Sequence, residues 1–397
     1  MGQSSTPRTQ VTLAADAGRR RESNVKIETI AVRVGRDIEA ATGEVAPAVH
    51  LSTTYERDVD GEFSRGYDYI RPDNPGRRAL EQCLAALEGG ADATAYGSGS
   101  AASLAVFSLL RPGEHVIAPI ESYHGTAKQL RDIVGPMGVS YTFVDMTRIE
   151  ALRTALTDKT RLVWLETPSN PMLNLSDIET IAELAHGRGA TVCVDNTFAT
   201  PVWQKPLELG ADLVMHSSTK YFGGHSDVMG GAVIARDRGG LSDQLRDYQS
   251  TAGNVPSPFD CWLLRRSLTT LSCRVRAQTQ TAERLAHFLQ RHRGVERVFY
   301  PGLESHPGHA LARKQMSGFG AMLSFCVRGG RDEAFAVAAR LKLFTRATSL
   351  GGVESLIEHR KSIEGPQSVT PESLLRVSVG LESVEDLMED LEGALSG

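Results

Sequence analysis

From about residue 75 onward the chain alternates two patterns: short apolar runs closed by polar or glycine-rich residues, and longer stretches with apolar residues three and four apart. That alternation predicts an α/β fold, a mostly parallel sheet with helices on both faces. The predicted strands are HVIAPI at 115–120 and the runs at 139–145, 161–167, 190–196, 211–217 and 231–237. Asn74 as N-cap, Pro75 in the first turn, the stripe Leu80, Leu84 and Leu87, and a stop at Gly89 and Gly90 predict one helix. A second covers 175–189, with Ile178, Ile181, Ala182 and Ala185 on one face. Past about residue 258 the pattern changes. One long helical stretch runs through Leu263, Leu264, Leu268 and Leu271 to about Arg291, and isolated strands (VERVFYP, AMLSFCV, LLRVSVG) then alternate with helices. This predicts a smaller α+β domain.

Composition narrows the class. The 397 residues suit roughly two to three domains, and 41% hydrophobic with 23% charged residues is ordinary for a globular protein. A net charge of −5 gives no electrostatic reason for a nucleic-acid or anionic-membrane partner. No apolar run reaches the roughly 18 residues of a membrane span. The first 25 residues are polar, and Arg19, Arg20 and Arg21 follow rather than precede any apolar segment, so they read as a mobile arm and not a secretory signal. Five widely spaced cysteines with no C-x-x-C pair point to reduced thiols in a cytoplasmic protein, with neither a disulfide frame nor a metal site.

In an open parallel sheet ligands sit beyond the carboxyl ends of the strands, which directs attention to polar residues just after the apolar runs. Lys220, in HSSTKYFGGHSD (216–227), lies among small residues that leave room for a bulky group, and such a lysine can form an imine with an aldehyde cofactor. Asp195, 25 residues earlier at the end of ATVCVD, could pair with a pyridinium nitrogen. The turn YGSGSAAS (96–103) leads into a helix whose first amides form a phosphate cradle, yet it matches neither common nucleotide-binding glycine pattern. Tyr123 follows HVIAPI and could stack on a flat cofactor. Taken singly, each also fits a plain structural role: a solvated lysine, a capping aspartate, a flexible turn, a buried tyrosine.

Taken together, in this order, they resemble the Cys/Met-metabolism enzymes dependent on pyridoxal 5'-phosphate (PLP), the cystathionine γ-synthase and γ-lyase-like trans-sulfuration family. The resemblance runs from YDYIRPDNPGRRALEQCLAALEGG (67–90) through LVWLETPSNP, VDNTFATP, GADLVMHSSTKYFGGHSDVMGG, GFGAMLSF and SLGGVESLIEH to LLRVSVGLE (374–382). It implies fold type I, with a neighbouring-subunit arm over 1–66, a PLP domain over 67–257 and a C-terminal α+β domain over 258–397. It implies Lys220 as the Schiff-base lysine, Asp195 as partner of the pyridine nitrogen, and Tyr123 as the stacking ring that assists proton transfer. Ser217, Thr219 and the amides of Gly99 and Ser100 would hold the phosphate, and Tyr69 and Arg71 would hold that of the neighbouring subunit. The assembly is then a homodimer at least, with a homotetramer expected. Asn170, Arg376 and the nearby Ser349 would bind the α-carboxylate of an amino-acid substrate, an arginine fork suiting two parallel hydrogen bonds.

The implied chemistry is γ-elimination or γ-replacement on a homoserine-derived or sulfur-containing amino acid through a vinylglycine-type intermediate. Several positions depart from the family. Gly125 stands where methionine γ-lyases carry cysteine, and YHGTAK puts His124 and Lys128 where glycine and arginine are usual. Pro72 follows Arg71, Gly76 and Ser100 replace the usual threonine and methionine, and SLIEHRKSIEG replaces the common segment after Ile357. Lys128 retains a charge for a distal carboxylate but loses the fork. These changes leave open a specialised enzyme with another leaving group, such as the sulfonium of S-adenosylmethionine, and a nucleophile other than cysteine. A fold-related aminotransferase or β-lyase would share Lys220 and Asp195, but TPSNP, STKYFGGH and SLGGVES together favour the γ-family.

Overall fold

The computed structural model describes residues 25–365 and 368–397; the predicted arm, residues 1–25, lies almost wholly outside them. Seven strands form the first sheet: β1 Asp92–Tyr96, β2 His115–Pro119, β3 Ser140–Val144, β4 Thr160–Glu166, β5 Thr191–Asp195, β6 Leu213–His216 and β7 Gly231–Ala235. Their order is β1-β7-β6-β5-β4-β2-β3, and β7 pairs antiparallel with both its neighbours while the other pairs are parallel. β2 and β7 are buried along their whole length, as expected for strands covered on both faces. Two apolar clusters flank the sheet, one centred on Trp164, Phe107 and Leu130, the other on Leu80, Val163 and Phe222.

A second sheet follows, with β8 Val295–Phe299, β9 Met322–Val327, β10 Thr345–Arg346, β11 Leu356–His359 and β12 Leu374–Ser378 in the order β10-β11-β12-β9-β8. All its pairs are antiparallel except β10 with β11.

Among the helices, α1 is Ile27–Arg33, α2 Pro75–Glu88, α3 Gly99–Phe107 and α4 His124–Gln129. α2 begins as expected: the Asn74 side chain accepts from Gly76 N and Arg77 N, and Gly89 ends it in the left-handed conformation. The helix expected over 175–189 is shorter, Ile178–His186, with Asp177 as its side-chain cap. The long helix expected through residue 291 is two, Pro258–Leu268 and Leu271–Arg291. At the junction the hydroxyls of Thr269 and Thr270 turn back onto the carbonyls of Arg266 and Ser267, so side chains take over backbone acceptors and the axis changes. Buried Arg274 then uses the break, donating to Ser267 O (3.1 Å) and to Tyr221 O (2.9 Å) beside Lys220.

Candidate active site

β2, β4, β5 and β6 open on the same edge, and the chain reverses its direction of travel across the sheet between β2 and β4. That reversal is where an open α/β sheet forms its crevice. Tyr123, Asn170, Asp195, Ser217, Thr219 and Lys220 stand at those carboxyl ends, and they share a cavity of about 390 Å³ with Ser349 and Arg376 from the second sheet and Gly99 and Ser100 from the start of α3.

Lys220 follows β6 in a loop fastened by Thr219, which exchanges backbone and hydroxyl hydrogen bonds with Gly230 (3.1–3.3 Å). Its Nζ donates to Ser349 Oγ at 2.7 Å. Ser349 has φ +79°, a left-handed conformation that costs a non-glycine residue free energy and persists only where its surroundings enforce it. The enforcement is visible: Gly351 passes so close to the lysine loop that a Cβ there would lie 2.7 Å from Tyr221 N. Burial, then the charges of Arg376 and Arg360, pull the Lys220 ammonium down from 10.5 to about 8.

Arg376 sits on β12, buried, donating from Nη1 to Asn170 Oδ1 (3.0 Å) and from Nη2 to Ser349 O (2.9 Å) and Glu358 Oε2 (3.1 Å). Burial pulls it down to about 10, helped by the charge of Arg360. Asn170 is held by a loop organised around Glu121, whose carboxylate accepts from Ser169 Oγ, Met172 N and Asn174 Nδ2 at 2.6–2.7 Å.

On the sheet edge, Asp195 accepts from Thr197 N at 3.0 Å, while the Thr197 hydroxyl accepts from Ser217 N at 2.9 Å. Glu166 is register partner to Asp195 across β4 and β5 and accepts from Tyr123 N at 2.7 Å. Burial raises both carboxyls, and the charge of Asp195 raises Glu166 further, whereas the hydroxyl and amide of Thr197 and the pull of His216 hold Asp195 back. One proton on Glu166 and one negative charge on Asp195 is the state these contacts favour. His216 is itself fixed, buried against the Phe222 ring with Nε2 2.5 Å from Glu88 Oε1.

At the start of α3, Ser98 caps by accepting from Ala101 N (3.1 Å), and the amides of Gly99 and Ser100 have no acceptor among the described residues. Gly99 lies so near Ser217 that a Cβ would come within 2.7 Å of its hydroxyl, which brings the helix start and the lysine loop into one cradle. The Tyr123 ring is 42% exposed and lies over Gly125, where a Cβ would meet it at 2.3 Å.

Three sequence candidates lie elsewhere. Lys128 is not on the cavity wall; it extends along α4 into solvent and pairs with Asp132, one turn on. Tyr69 is 46% exposed, and Arg71 donates to Ser250 O, both outside this chain's own cavity. Conversely, Glu166, Thr197, His216, Glu358 and Arg360 belong to the site and were not among the sequence candidates. Glu166 ends an apolar run as Asp195 does, and the same rule reaches it. Glu358 and Arg360 depend on strand register, which spacing alone does not supply.

The family model described as Cys/Met metabolism PLP-dependent enzyme matches residues 28–396. Cystathionine gamma-synthase of Mycobacterium tuberculosis (strain ATCC 25618 / H37Rv) is 46% identical over 373 residues, 92% of this chain and 96% of that protein. Cystathionine gamma-lyase of Dictyostelium discoideum is 43% identical over 382 residues, 94% of this chain and 98% of that protein. The crystal structure of cystathionine gamma synthase from Xanthomonas oryzae pv. oryzae, in complex with aminoacrylate and cysteine, has a TM-score of 0.91 at 42% identity, covering 94% of this chain and 98% of that one.

Proposed function

The chain belongs to the Cys/Met metabolism PLP-dependent enzymes, and from that premise we propose that it catalyses γ-elimination or γ-replacement on a homoserine-derived or sulfur-containing amino acid. The observation that carries the reading is Lys220: a buried amine whose proton is loosened to about 8, fastened by Ser349 Oγ, between the Arg376 fork and the Asp195 carboxylate.

The cavity suits the cofactor. It offers an amine for the aldehyde, unclaimed amides at a helix start with hydroxyls beside them for a phosphate, a carboxylate for a ring nitrogen and an exposed aromatic face. Lys220, Asp195, Tyr123, Ser217, Thr219, Gly99 and Ser100 would hold it. When bound, PLP supplies an electron sink for the pair released at the substrate Cα.

The protein's own part is positioning and proton transfer. Arg376, itself oriented by Asn170 and the Ser349 carbonyl, would grip the substrate α-carboxylate. With its proton loosened to about 8, the Lys220 amine would move protons at Cα and Cβ, taking the one from Cα and giving it up again before it takes the one from Cβ. Tyr123 stands at the cavity mouth on a backbone amide fixed by Glu166, within the same enclosure. Removing the Cβ proton makes the bond from Cγ to its substituent the one that breaks, and elimination and replacement differ only in what arrives next.

Tyr69 and Arg71, outside their own cavity and near an exposed stretch that includes Leu51 and Val59, support a homodimer at least, in which each would serve the partner's phosphate site. We extend this to a homotetramer and to a cytoplasmic setting. Five free cysteines without a disulfide among the described residues support the latter, and no described helix is long and apolar enough to cross a membrane.

The test is to incubate the purified holoenzyme with O-acetylhomoserine, O-succinylhomoserine, cystathionine, methionine and S-adenosylmethionine, each with and without cysteine, and to follow 2-oxo acids and adducts by mass spectrometry. Release of the γ-group from at least one donor is expected. Turnover of none of them would sink the proposal.

A further inference from the structure

Glu166 ends β4 as a buried carboxyl, 5% exposed, to which the reaction above gives no task. It stands in the wall between two cavities: the one around Lys220, and a second of about 320 Å³ that it shares with Glu121, Asp145, Ser169 and Asn174. No other described residue lines both. Its Oε2 accepts from Tyr123 N at 2.7 Å, while Oε1 has no hydrogen-bond partner among the described residues.

Two neighbours depend on it. Tyr123 precedes α4 without a side-chain cap, and its hydroxyl makes no hydrogen bond among the described residues, so its place is set through the backbone. Asp195 is the register partner of Glu166 on the parallel strand β5, and the two side chains leave one face of the sheet from backbones roughly 5 Å apart. Neither carboxyl makes an ion pair among the described residues. Buried like charges at that spacing repel, which favours one proton between them.

The surroundings say where that proton sits. Asp195 accepts from the amide and hydroxyl of Thr197 and has the charge of His216 behind it. Glu166 accepts from one amide and has Glu121 as a second acidic neighbour. Arg360, whose charge would favour an ionised Glu166, is already held by Glu358 at 2.6 Å and Glu364 at 3.1 Å. Of the other charged or titratable groups lining the two cavities, Lys220 donates to Ser349, Arg376 to Asn170 and Glu358, Asp145 accepts from Thr147, and His124 lies against the Tyr123 ring.

We propose that Glu166 is a positioning residue that acts on the cofactor through two neighbours: its Oε2 sets the stacking ring through the Tyr123 amide, and its proton leaves Asp195 the one carboxylate charge opposite the ring nitrogen. The proposal rests on the cofactor contacts assigned above to Tyr123 and Asp195, and not on which γ-substituent is released. Glu166→Gln keeps an acceptor for the amide and adds no charge, so its apo-protein binds PLP within about twofold of wild type; Glu166→Ala leaves the buried amide unsatisfied and binds roughly tenfold more weakly. The induced circular dichroism of bound PLP falls in Glu166→Ala and persists in Glu166→Gln. The infrared carbonyl band of a protonated carboxyl, present in wild type, is missing from Glu166→Gln. The pH midpoint at which bound PLP changes its visible absorption is the same in wild type and Glu166→Gln.

A midpoint that falls by about one unit in Glu166→Gln overturns the proposal, because removing a nearby negative charge would do that and removing a neutral acid would not. So does an infrared band that survives the substitution, or a loss of PLP in Glu166→Gln as large as in Glu166→Ala. If Glu166→Ala does not fold, the band and the midpoint in Glu166→Gln still decide. Asp195→Ala in the same PLP titration tests the premise separately. Unchanged affinity in both alanine variants refutes the cofactor contacts themselves, whereas loss in Asp195→Ala with none in Glu166→Ala refutes the role of Glu166 alone.

Discussion

Lys220 concentrates the physical chemistry of the site in one amine. Its ammonium is disfavoured by burial and by two neighbouring guanidiniums, with a value of about 8 in the folded protein against 10.5 for an ordinary lysine. Below pH 8 the folded and unfolded chains both hold the proton, and the penalty is fully present. Between about 8 and 10.5 the unfolded chain holds more protons than the folded one, so apo-protein stability rises with pH through that window. Comparing the thermal midpoints of apo wild type and apo Lys220→Met from pH 7 to 10.5 isolates the effect: the difference should move in favour of wild type above pH 8. The rate at which apo-protein captures PLP should follow the neutral amine, climbing about tenfold per pH unit below 8 and levelling above it. A capture rate still climbing at pH 10 would mean that burial and the neighbouring arginines do not act on Lys220 as its position implies.

At the level of elements, the second sheet supplies what the first cannot. Antiparallel pairing of β11 with β12 sets Glu358 opposite Arg376, and the turn out of β11 brings Arg360 onto the same carboxylate. Two buried guanidiniums share one anion, so truncating it leaves both short of a partner. Glu358→Ala should cost about 3–5 kcal/mol, the usual consequence of breaking a buried pair from one side. Glu358→Gln, which keeps an acceptor oxygen, should cost less. Thermal melting of the holoenzyme checks the order, and equal midpoints for the two variants would show that the carboxylate is not shared. The same elements explain what was legible in the sequence. Asp195 and Lys220 were visible because one ends an apolar run and the other lies in the loop after one, and a parallel sheet gathers such positions on one edge, whereas Asn170 entered through the family resemblance. Glu358 and Arg360 were not, because an antiparallel pair is defined by a partner strand and not by local spacing. Lys128 misled for a related reason. Its distance from Tyr123 is fixed by sequence, but a long lysine on α4 extends toward the i+4 aspartate and water rather than into the cavity. The break at Thr269 and Thr270 was hidden because the apolar stripe continues across it while two hydroxyls end the first helix.

Across the whole molecule, one chain does not complete the set of groups expected around the cofactor. The two sheets meet at the cavity, and Arg274 ties the lysine loop to the helical junction behind it. Part of the amino-terminal segment is also fixed on its own chain: α1 receives Arg265 at the Ala31 carbonyl (3.1 Å), and Trp262 Nε1 reaches Pro47 O (2.7 Å). Beyond Pro47 the segment runs out to exposed Leu51, Val59, Tyr69 and Arg71 without returning to the cavity. If Arg71 serves a partner's site, two defects in different chains can complement each other. Lys220→Ala and Arg71→Ala homo-oligomers should each be nearly inactive. In a dimer of one chain of each, one active site has both defects and the other has none. Random reassociation of equal amounts makes half the dimers hybrid, so roughly a quarter of wild-type activity should return. The measurement is γ-group release after mixing, dissociating and reassembling the two variants, with each variant taken through the same cycle alone as control. Were Arg71 to act on its own chain's site, every active site in every hybrid would contain one defect, and no activity would return.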